Sequence, residues 1–303
     1  MIPPNLRSRI SELKRSAIRK SWFSVRAPAG EPDAAETLEL PPPSFVAKAT
    51  ATDVRLRLLL DDVADGRQKT VPPGRFYLID QGIEALMPLR GPELKKRFLK
   101  LLDQTRGNAT VNHDDFGTFQ ELSGTEPSEL VFVDIEATGF TPGTPLFLVG
   151  LVVVEEGDLR VQQYLARDYT EEGALLYQVW KRLADTRTVV TFNGKSYDLP
   201  YIRDRMVYYG YRLREGLADI DLLHEGRRRY KDRLVNCKLQ TLEKAICGRG
   251  RLGDIPGAEI PDAYHEFVRT GNATEMRDIL HHNALDLVTM IEIVLFMLEG
   301  REL

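Results

Sequence analysis

Cysteine is scarce in this chain of 303 residues, and long apolar runs are lacking. The two cysteines, Cys237 and Cys247, do not form a CxxC pair, which argues against a disulfide framework and against a zinc knuckle. The longest apolar runs, Leu146–Val154 and Ile291–Leu298, are too short to cross a bilayer. We therefore expect a protein without membrane spans, working in the reducing environment of the cytoplasm.

An excess of positive charge is also lacking, since the formal net charge is -4. This balance does not indicate a polyanion-binding protein, although local patches and bound cations can bind nucleic acid on an acidic chain. Met1–Arg26 departs from it, with basic residues throughout and the single acid Glu12. We interpret this segment as a basic arm, either touching nucleic acid or solvated, with a transit peptide as the alternative.

Composition divides the chain into three regions. Residues 1–45 combine the basic arm with a Pro-rich linker and are expected to be partly disordered. Residues 46–125 carry a strand-like Arg75–Ile79 and an amphipathic helix around Pro92–Asp103, and we interpret them as an accessory region of unknown role. The residues that carry chemistry lie in the third region, 126–303.

Alternating strands and helices define the fold of the third region. The predicted strands are Leu130–Glu136, Leu146–Glu155, Leu159–Leu165, Thr188–Asn193 and Leu217–Leu222. The predicted helices are Glu171–Ala184, Asp198–Tyr209, Lys238–Ile246 and Thr274–Glu299. The first three strands form a meander, because Glu156-Gly157-Asp158 is a good hairpin turn. This order predicts an α/β fold with a mixed five-stranded sheet flanked by helices.

Two carboxylates end the first predicted strand. Asp134 and Glu136 are two residues apart, so both point to one face of the sheet, about 7 Å apart along the strand. Carboxylates at the end of an apolar strand are costly unless a cation meets them. A hard divalent cation such as Mg²⁺ or Mn²⁺ meets that need, and emergence of the strand into solvent is the alternative.

A second group lies where strand Thr188–Asn193 runs into a loop and a helix. Asp198 opens that helix with Pro200 in its first turn, an arrangement that plain capping would also produce. Asn193, Gly194 and Lys195 precede it. They are candidates for contact with a phosphate or a terminal nucleotide, with turn formation as the alternative.

The third group lies in the C-terminal helix. His282 and Asp286 are four residues apart and therefore share one helical face. Histidine exchanges protons near neutral pH, which suits removal of a proton from water. The alternative is a hydrogen bond on the helix surface with no catalytic role.

Taken in order, the three groups resemble the DEDD 3′–5′ exonuclease superfamily. More closely, residues 130–295 are similar to the YprB-like ribonuclease H-like family. The similar stretches are FVDIEATGF, LFLVG, TFNGKSYDLP, DIDLLHEGRR, IPGAEIP and HHNALDL. The resemblance implies a ribonuclease H-like fold for this region and does not cover the first 120 residues.

The resemblance also implies a two-metal phosphodiesterase site. Its implied ligands for two Mg²⁺ or Mn²⁺ ions are Asp134, Glu136, Asp198 and Asp286. Its implied substrate contacts are Thr138, Gly139, Asn193 and Lys195. Better-studied branches place a histidine five residues, or a tyrosine four residues, before the last aspartate. Here His281 stands at the first of these positions and His282 at the second, so His282 is our choice of base and His281 the alternative.

These inferences predict a metal-dependent 3′–5′ exonuclease that hydrolyses single-stranded DNA or RNA. The basic stretch Arg227–Arg233, with Tyr230 inside it, is a candidate for gripping phosphates and stacking a base, or else a solvated helix. A structure-specific endonuclease with the same site is one competing prediction. A nucleic-acid-binding module without catalysis is the other.

Overall fold

Strand β3 (Leu130–Ala137) begins with four residues that are buried whichever face they point to. The computed structural model describes residues 58–107, 117–141, 143–251 and 253–303, which belong to one compact unit. A strand that is apolar on both faces requires a packed layer on each side. β3 therefore lies inside a three-layer arrangement of helices, sheet and helices.

The described ranges contain seven strands. The others are β1 (Gly66–Val71), β2 (Gly74–Gly82), β4 (Leu146–Glu155), β5 (Asp158–Leu165), β6 (Thr188–Thr191) and β7 (Ala218–Asp221). They form one mixed sheet in the order β1-β2-β5-β4-β3-β6-β7. Neighbours from β1 to β3 pair antiparallel, whereas β6 and β7 run parallel to β3. The α/β class, the mixed sheet and the opening meander are confirmed.

The sheet has two more strands than the five predicted. β2 contains the strand-like stretch Arg75–Ile79 and pairs with β5, which follows it much later in the chain. β1 lies at the sheet edge and has no buried residue, so it lacks the apolar alternation that marks a half-buried strand. Residues 66–82, within the region interpreted as accessory, thus extend the same sheet as β3.

Nine helices occur in the described ranges. They are α1 (Leu60–Val63), α2 (Ile83–Leu86), α3 (Gly91–Gly107), α4 (Glu172–Ala184), α5 (Asp198–Tyr208), α6 (Leu222–Tyr230), α7 (Leu239–Leu242), α8 (Ile260–Thr270) and α9 (Thr274–Leu298). Short 3₁₀ turns cover Gly117–Leu122 and Pro127–Glu129, and a π turn at Glu243–Cys247 continues α7. The arm and linker predicted at residues 1–45 lie outside the described residues.

The two faces of the sheet are covered by different helices. Phe132 points toward α3 and α9, and its ring centroid lies 5.7 Å from that of Phe98. Val131 and Val133 point the other way and pack with α4 and α5. By length and composition α9 could cross a membrane, with a mean hydropathy of 1.4, but 72% of that stretch is buried inside the protein. Its apolar side chains therefore belong to the core.

A buried ion pair fixes the position of α5. Glu172, at the start of α4, accepts a hydrogen bond from Nε of Arg205 on α5 at 2.7 Å. The same carboxylate accepts the backbone N–H of Leu146 at 2.8 Å, where β4 begins. Glu172 is only 1% exposed, so its charge depends on these partners. Because α5 begins with Asp198, this contact also fixes where that carboxylate stands.

Replacing Glu172 by alanine is expected to lower the free energy of unfolding by about 3–5 kcal/mol, because the Arg205 guanidinium would be left buried without its partner. Urea unfolding followed by circular dichroism measures the change. Glu266→Ala is the matched control, since Glu266 pairs with Arg269 on the surface. Equal midpoint shifts in the two variants would contradict the role given to Glu172.

Candidate active site

The Asp-x-Glu motif lies at the carboxyl end of β3. Asp134 and Glu136 project from the face of the sheet that α9 covers, two residues apart on the strand. The pairing register of β3 with β4 shifts between Glu136 and Ala137. A bulge therefore ends the regular ladder directly after the two carboxylates, as is common beside active sites.

Asp198 reaches the same end of the sheet from a tightly ordered loop. It is the first residue of α5 and is 6% exposed, while Tyr197 takes the capping position. Fully buried Asp221 shapes the loop, because its carboxylate accepts the backbone N–H of Asn193 at 2.9 Å and that of Lys195 at 3.3 Å. Asn193 has a left-handed φ of 66°, which turns the chain from β6 toward α5. Capping alone therefore does not describe the place of Asp198.

Asp286 on α9 completes the set together with His282. The Nε2 atom of His282 lies 3.6 Å from Oδ2 of Asp286. The Nδ1 atom lies 2.8 Å from Oδ1 of Asp254, which belongs to the segment between the π turn and α8. The guanidinium of Arg251, from the same segment, contacts the other oxygen of Asp286. His282 is 14% exposed, so this is not the surface hydrogen bond considered as the alternative.

All four carboxylates have a raised pKa, and burial is the largest cause for each. Burial is the main reason why the pKa of Asp134 lies well above its ordinary value, and the charges of Asp286, Glu136 and Asp198 add to it. Burial likewise raises the pKa of Glu136, with further contributions from Asp286 and Asp198. Burial also raises the pKa of Asp286, although the positive charge of Arg251 opposes it. The structure thus brings the four predicted carboxylates within electrostatic reach of each other.

The pKa of Asp198 lies near neutral pH. Burial, with smaller contributions from the charges of Asp221 and Asp219, raises the pKa of Asp198 to about 7. The hydrogen bonds that its carboxylate accepts from backbone N–H groups oppose this rise. The pKa of Asp254 is shifted in the opposite direction. Burial tends to raise the pKa of Asp254, but the hydrogen bond from His282 and the guanidinium of Arg251 bring it below the ordinary value.

Asp134 is held by an amide that the sequence predictions did not include. Nδ2 of Asn283, on α9, donates to Oδ2 of Asp134 at 2.7 Å. Oδ1 of Asn283 in turn accepts from Nε2 of Gln163 at 2.8 Å. Gly150 pairs directly with Asp134 across the sheet, and a Cβ there would overlap the Asn283 amide. Gly150 is therefore what lets α9 approach β3 closely enough for this contact.

The donor set fits a divalent cation by its chemistry. Within the described ranges, no three acidic, histidine or cysteine side chains already stand at the mutual spacing of a closed ligand group. Yet four carboxylates, of which Asp198 is buried and the others are half-buried, all have a raised pKa and present the hard oxygen ligands that Mg²⁺ and Mn²⁺ prefer. Of these four carboxylates, Asp286 is the one that Arg251 contacts. Asp134, Glu136 and Asp198 would gain most from a bound cation.

The predicted substrate contacts fall into two groups. Thr138 is 8% exposed, and its backbone bonds to Pro145 and to His265 of α8, so it braces the loop after β3. The carbonyl of Gly139 accepts from Thr144 at 3.0 Å in the same loop. The side chains of Asn193 and Lys195 are exposed beside Asp198. Their contact with substrate stays a prediction.

The two histidines of α9 face different surroundings. His282 lies between Asp254 and Asp286, as described above. His281 is exposed and lines a neighbouring cavity of about 650 Å³, together with Arg90 and other residues of the 86–90 and 248–254 segments. The geometry therefore favours His282 over His281 as a proton acceptor beside the carboxylates.

Three side chains that contact the predicted site residues were not predicted from the sequence, namely Asn283, Asp254 and Arg251. Asn283 lies inside the quoted stretch HHNALDL, between two residues already chosen. Asp254 directly precedes IPGAEIP, and Arg251 lies three residues before Asp254 in a glycine-rich segment without helix or strand periodicity. Position in the motifs was the available signal for the first two, whereas nothing in the pattern marked Arg251.

Comparison with known sequences assigns this region to a family. Residues 131–297 match the family described as the RNase_H superfamily, which is more than half of the chain. The chain therefore belongs to the RNase_H superfamily, and the predicted ribonuclease H-like fold is confirmed.

The resemblance to YprB is confirmed as well. The chain is 33% identical over 178 residues to the uncharacterized protein YprB of Bacillus subtilis (strain 168). The shared region covers 57% of this chain and 43% of YprB, so the chain spans less than half the length of this relative.

Two distant likenesses among solved structures cover about half of the chain. The family B DNA polymerase from the hyperthermophilic archaeon Pyrobaculum calidifontis is 15% identical with a TM-score of 0.46, covering 56% of this chain and 24% of the polymerase. The zinc ion-bound form of the E. coli ExoI–ssDNA complex is 13% identical with a TM-score of 0.32, covering 52% of this chain and 42% of the other.

Gly150→Ala is expected to displace Asn283 from Asp134 and to lower hydrolytic activity about 10–100-fold, the usual effect of disturbing a group that orients a metal ligand. Gly257→Ala is the control, because a Cβ at Gly257 meets open space and its φ is not left-handed. Initial cleavage rates of the two variants, both checked for folding by circular dichroism, measure the difference. Equal rates would show that Asp134 needs no help from Asn283.

Stability without divalent cation is expected to fall as the pH rises through about 7. The pKa of Asp198 is about 7 in the folded protein and about 3.9 when unfolded, so the folded state binds the extra proton between these values. Urea midpoints in EDTA should therefore be higher at pH 6 than at pH 8. Asp198→Asn should reduce this difference. A wild-type midpoint that rises with pH over this interval would contradict the buried, cation-free carboxylate cluster.

Proposed function

We propose that this chain is a metal-dependent nuclease, a 3′–5′ exonuclease that hydrolyses phosphodiester bonds at a single-stranded end of DNA or RNA. The observation that carries the proposal is the convergence of four acidic side chains from β3, α5 and α9, each with a raised pKa. Membership in the RNase_H superfamily supports the class of reaction.

The proposed cofactor is a pair of Mg²⁺ or Mn²⁺ ions. The residues that would hold them are Asp134, Glu136, Asp198 and Asp286. Such ions, when bound, make water a stronger nucleophile at neutral pH and neutralise charge on the phosphate under attack. Asn283 holds the Asp134 carboxylate through a 2.7 Å hydrogen bond, so this ligand is oriented before a cation arrives.

His282 is the proposed general base. Its Nε2 atom is directed toward Asp286 and hence toward the carboxylates, where it would accept the proton of the attacking water. Arg251 offsets the negative charge of Asp286 on the other side. Both groups are largely shielded from bulk solvent, which strengthens their electrostatic interactions.

Side chains around the site suit a nucleic-acid end. Phe140 is 69% exposed just beyond β3, and Tyr197 is 39% exposed beside Asp198. Exposed aromatic rings stack on bases whatever their sequence. Lys195, exposed on the same loop, supplies positive charge for a phosphate. The basic stretch on α6 has less free charge than its composition suggests, because Glu225 binds Arg228 and Arg229.

The proposal is tested with 5′-labelled single-stranded DNA and RNA in Mg²⁺ or Mn²⁺. We expect a ladder that shortens from the 3′ end in the wild type. Asp134→Asn should abolish it while preserving the fold, since the change is nearly isosteric and removes a carboxylate from a repelling group. Asp204→Asn, at an exposed position on α5, is the control and should cleave normally.

Circular single-stranded DNA separates the two kinds of nuclease. An exonuclease leaves it intact, whereas an endonuclease with the same site linearises it. Absence of cleavage on both labelled polymers, or cleavage that persists in Asp134→Asn, would contradict the proposed function.

A further inference from the structure

Asp254 is an acidic residue beside the proposed base that has no part in the carboxylate ligand set. It lies in the segment between the π turn and α8, whereas His282 lies on α9. Its Oδ1 atom is 2.8 Å from Nδ1 of His282. The two side chains are 11% and 14% exposed, so water competes little for this contact.

We propose that Asp254 is a positioning residue that orients the His282 ring for catalysis. This inference rests on the proposed function in one respect, namely that His282 is the base. The Asp254 carboxylate accepts the Nδ1–H group of the imidazole. In a neutral imidazole the other nitrogen then carries the lone pair. That nitrogen is Nε2, which lies on the side of Asp286, 3.6 Å from its Oδ2 atom.

Arg251 holds Asp254 in the orientation that this contact requires. Its Nη1 atom lies 3.2 Å from Oδ2 of Asp254, so the two carboxylate oxygens have separate partners. The same guanidinium contacts Asp286 and donates from Nε to Glu243 at 2.6 Å. Arg251 thus contacts both carboxylates that flank the His282 ring, and the Asp254 carboxylate cannot rotate away without breaking its bond to Arg251.

Glu243 attaches this segment to α9. It is 1% exposed and accepts hydrogen bonds from Arg251 and Arg249. Oγ1 of Thr289, on α9 itself, donates to the same carboxylate at 3.2 Å. Arg249 also bonds to Thr289 and to Glu292 of α9. Asp254 is therefore anchored to the helix that carries His282. These contacts keep the two side chains close to each other.

A purely structural role predicts a different pattern of effects from a positioning role. If Asp254 acts through His282, its removal should matter only while His282 is present. If it merely holds the segment in place, its removal should slow the reaction by the same factor in either background. The comparison therefore needs the single variants and the double variant.

The first experiment is a double-mutant cycle on the full chain with the labelled polymer that the wild type cleaves. We expect His282→Ala to lower kcat by about 10²–10⁴-fold and Asp254→Ala by about 10–100-fold with little change in KM. The double variant should be no slower than His282→Ala alone. Asp254→Asn, which keeps the shape of the side chain, substitutes if the alanine variant unfolds.

Asp278→Asn is the matched control. Asp278 is a half-buried aspartate on the same helix as His282 and pairs with its neighbour Arg277. The Asp278→Asn variant should cleave at the wild-type rate. Full-speed cleavage by Asp254→Ala, or a further fall in the double variant equal to that of Asp254→Ala alone, would overturn the positioning role.

The second experiment determines which nitrogen of the His282 ring carries the proton, without measuring activity. Long-range ¹H–¹⁵N spectra of the metal-free protein show which nitrogen carries the proton, and the chain has only five histidines to assign. We expect the proton on Nδ1 in the wild type and a loss of that preference in Asp254→Ala. An unchanged spectrum would overturn the inference. If no polymer is cleaved, the proposed function fails, while this spectrum still decides whether Asp254 orients His282.

Discussion

The arrangement of this protein depends on bringing four carboxylates together at one end of an apolar sheet. Burial and mutual repulsion raise the pKa of Asp134 and Glu136, and the pKa of Asp198 and Asp286 is raised by burial as well. Such a group is stable only if protons or cations offset its charge. In the part of the chain that the structure describes, the Arg251 guanidinium contacts Asp286, and the other three carboxylates depend on protons or on a bound cation.

Close contact between α9 and β3 is the main structural consequence. Asn283 reaches Asp134 across a gap that only glycine at position 150 leaves open. The same helix then brings Asp286 to the carboxylates and His282 to Asp254. Its apolar side fills the core, so one helix both closes the fold and carries half of the site. This double role explains how a 25-residue apolar helix belongs in the interior of this fold.

Contacts from loops and loop-borne side chains orient the site side chains that the strands and helices carry. Buried Asp221 orders the loop that leads to Asp198 by accepting two of its backbone N–H groups. Glu172 fixes the far side of α5 through Arg205. On the other side of the site, the segment with Arg251 and Asp254 is tied to α9. Asp134, Asp198 and Asp286 are therefore each held by contacts from outside their own strand or helix.

The sequence by itself predicted the five strands from Leu130 onward and the long helix that begins at Thr274, because apolar periodicity is a local property. It also proposed the four carboxylates, through the resemblance carried by three short motifs. Only the tertiary structure decided the rest. β1 and β2 join the sheet by pairing with a strand far along the chain, and a polar edge strand carries no apolar alternation. Asp254 meets His282 across 28 positions for the same reason. Contacts between distant residues depend on packing and the loop path, which no local pattern records.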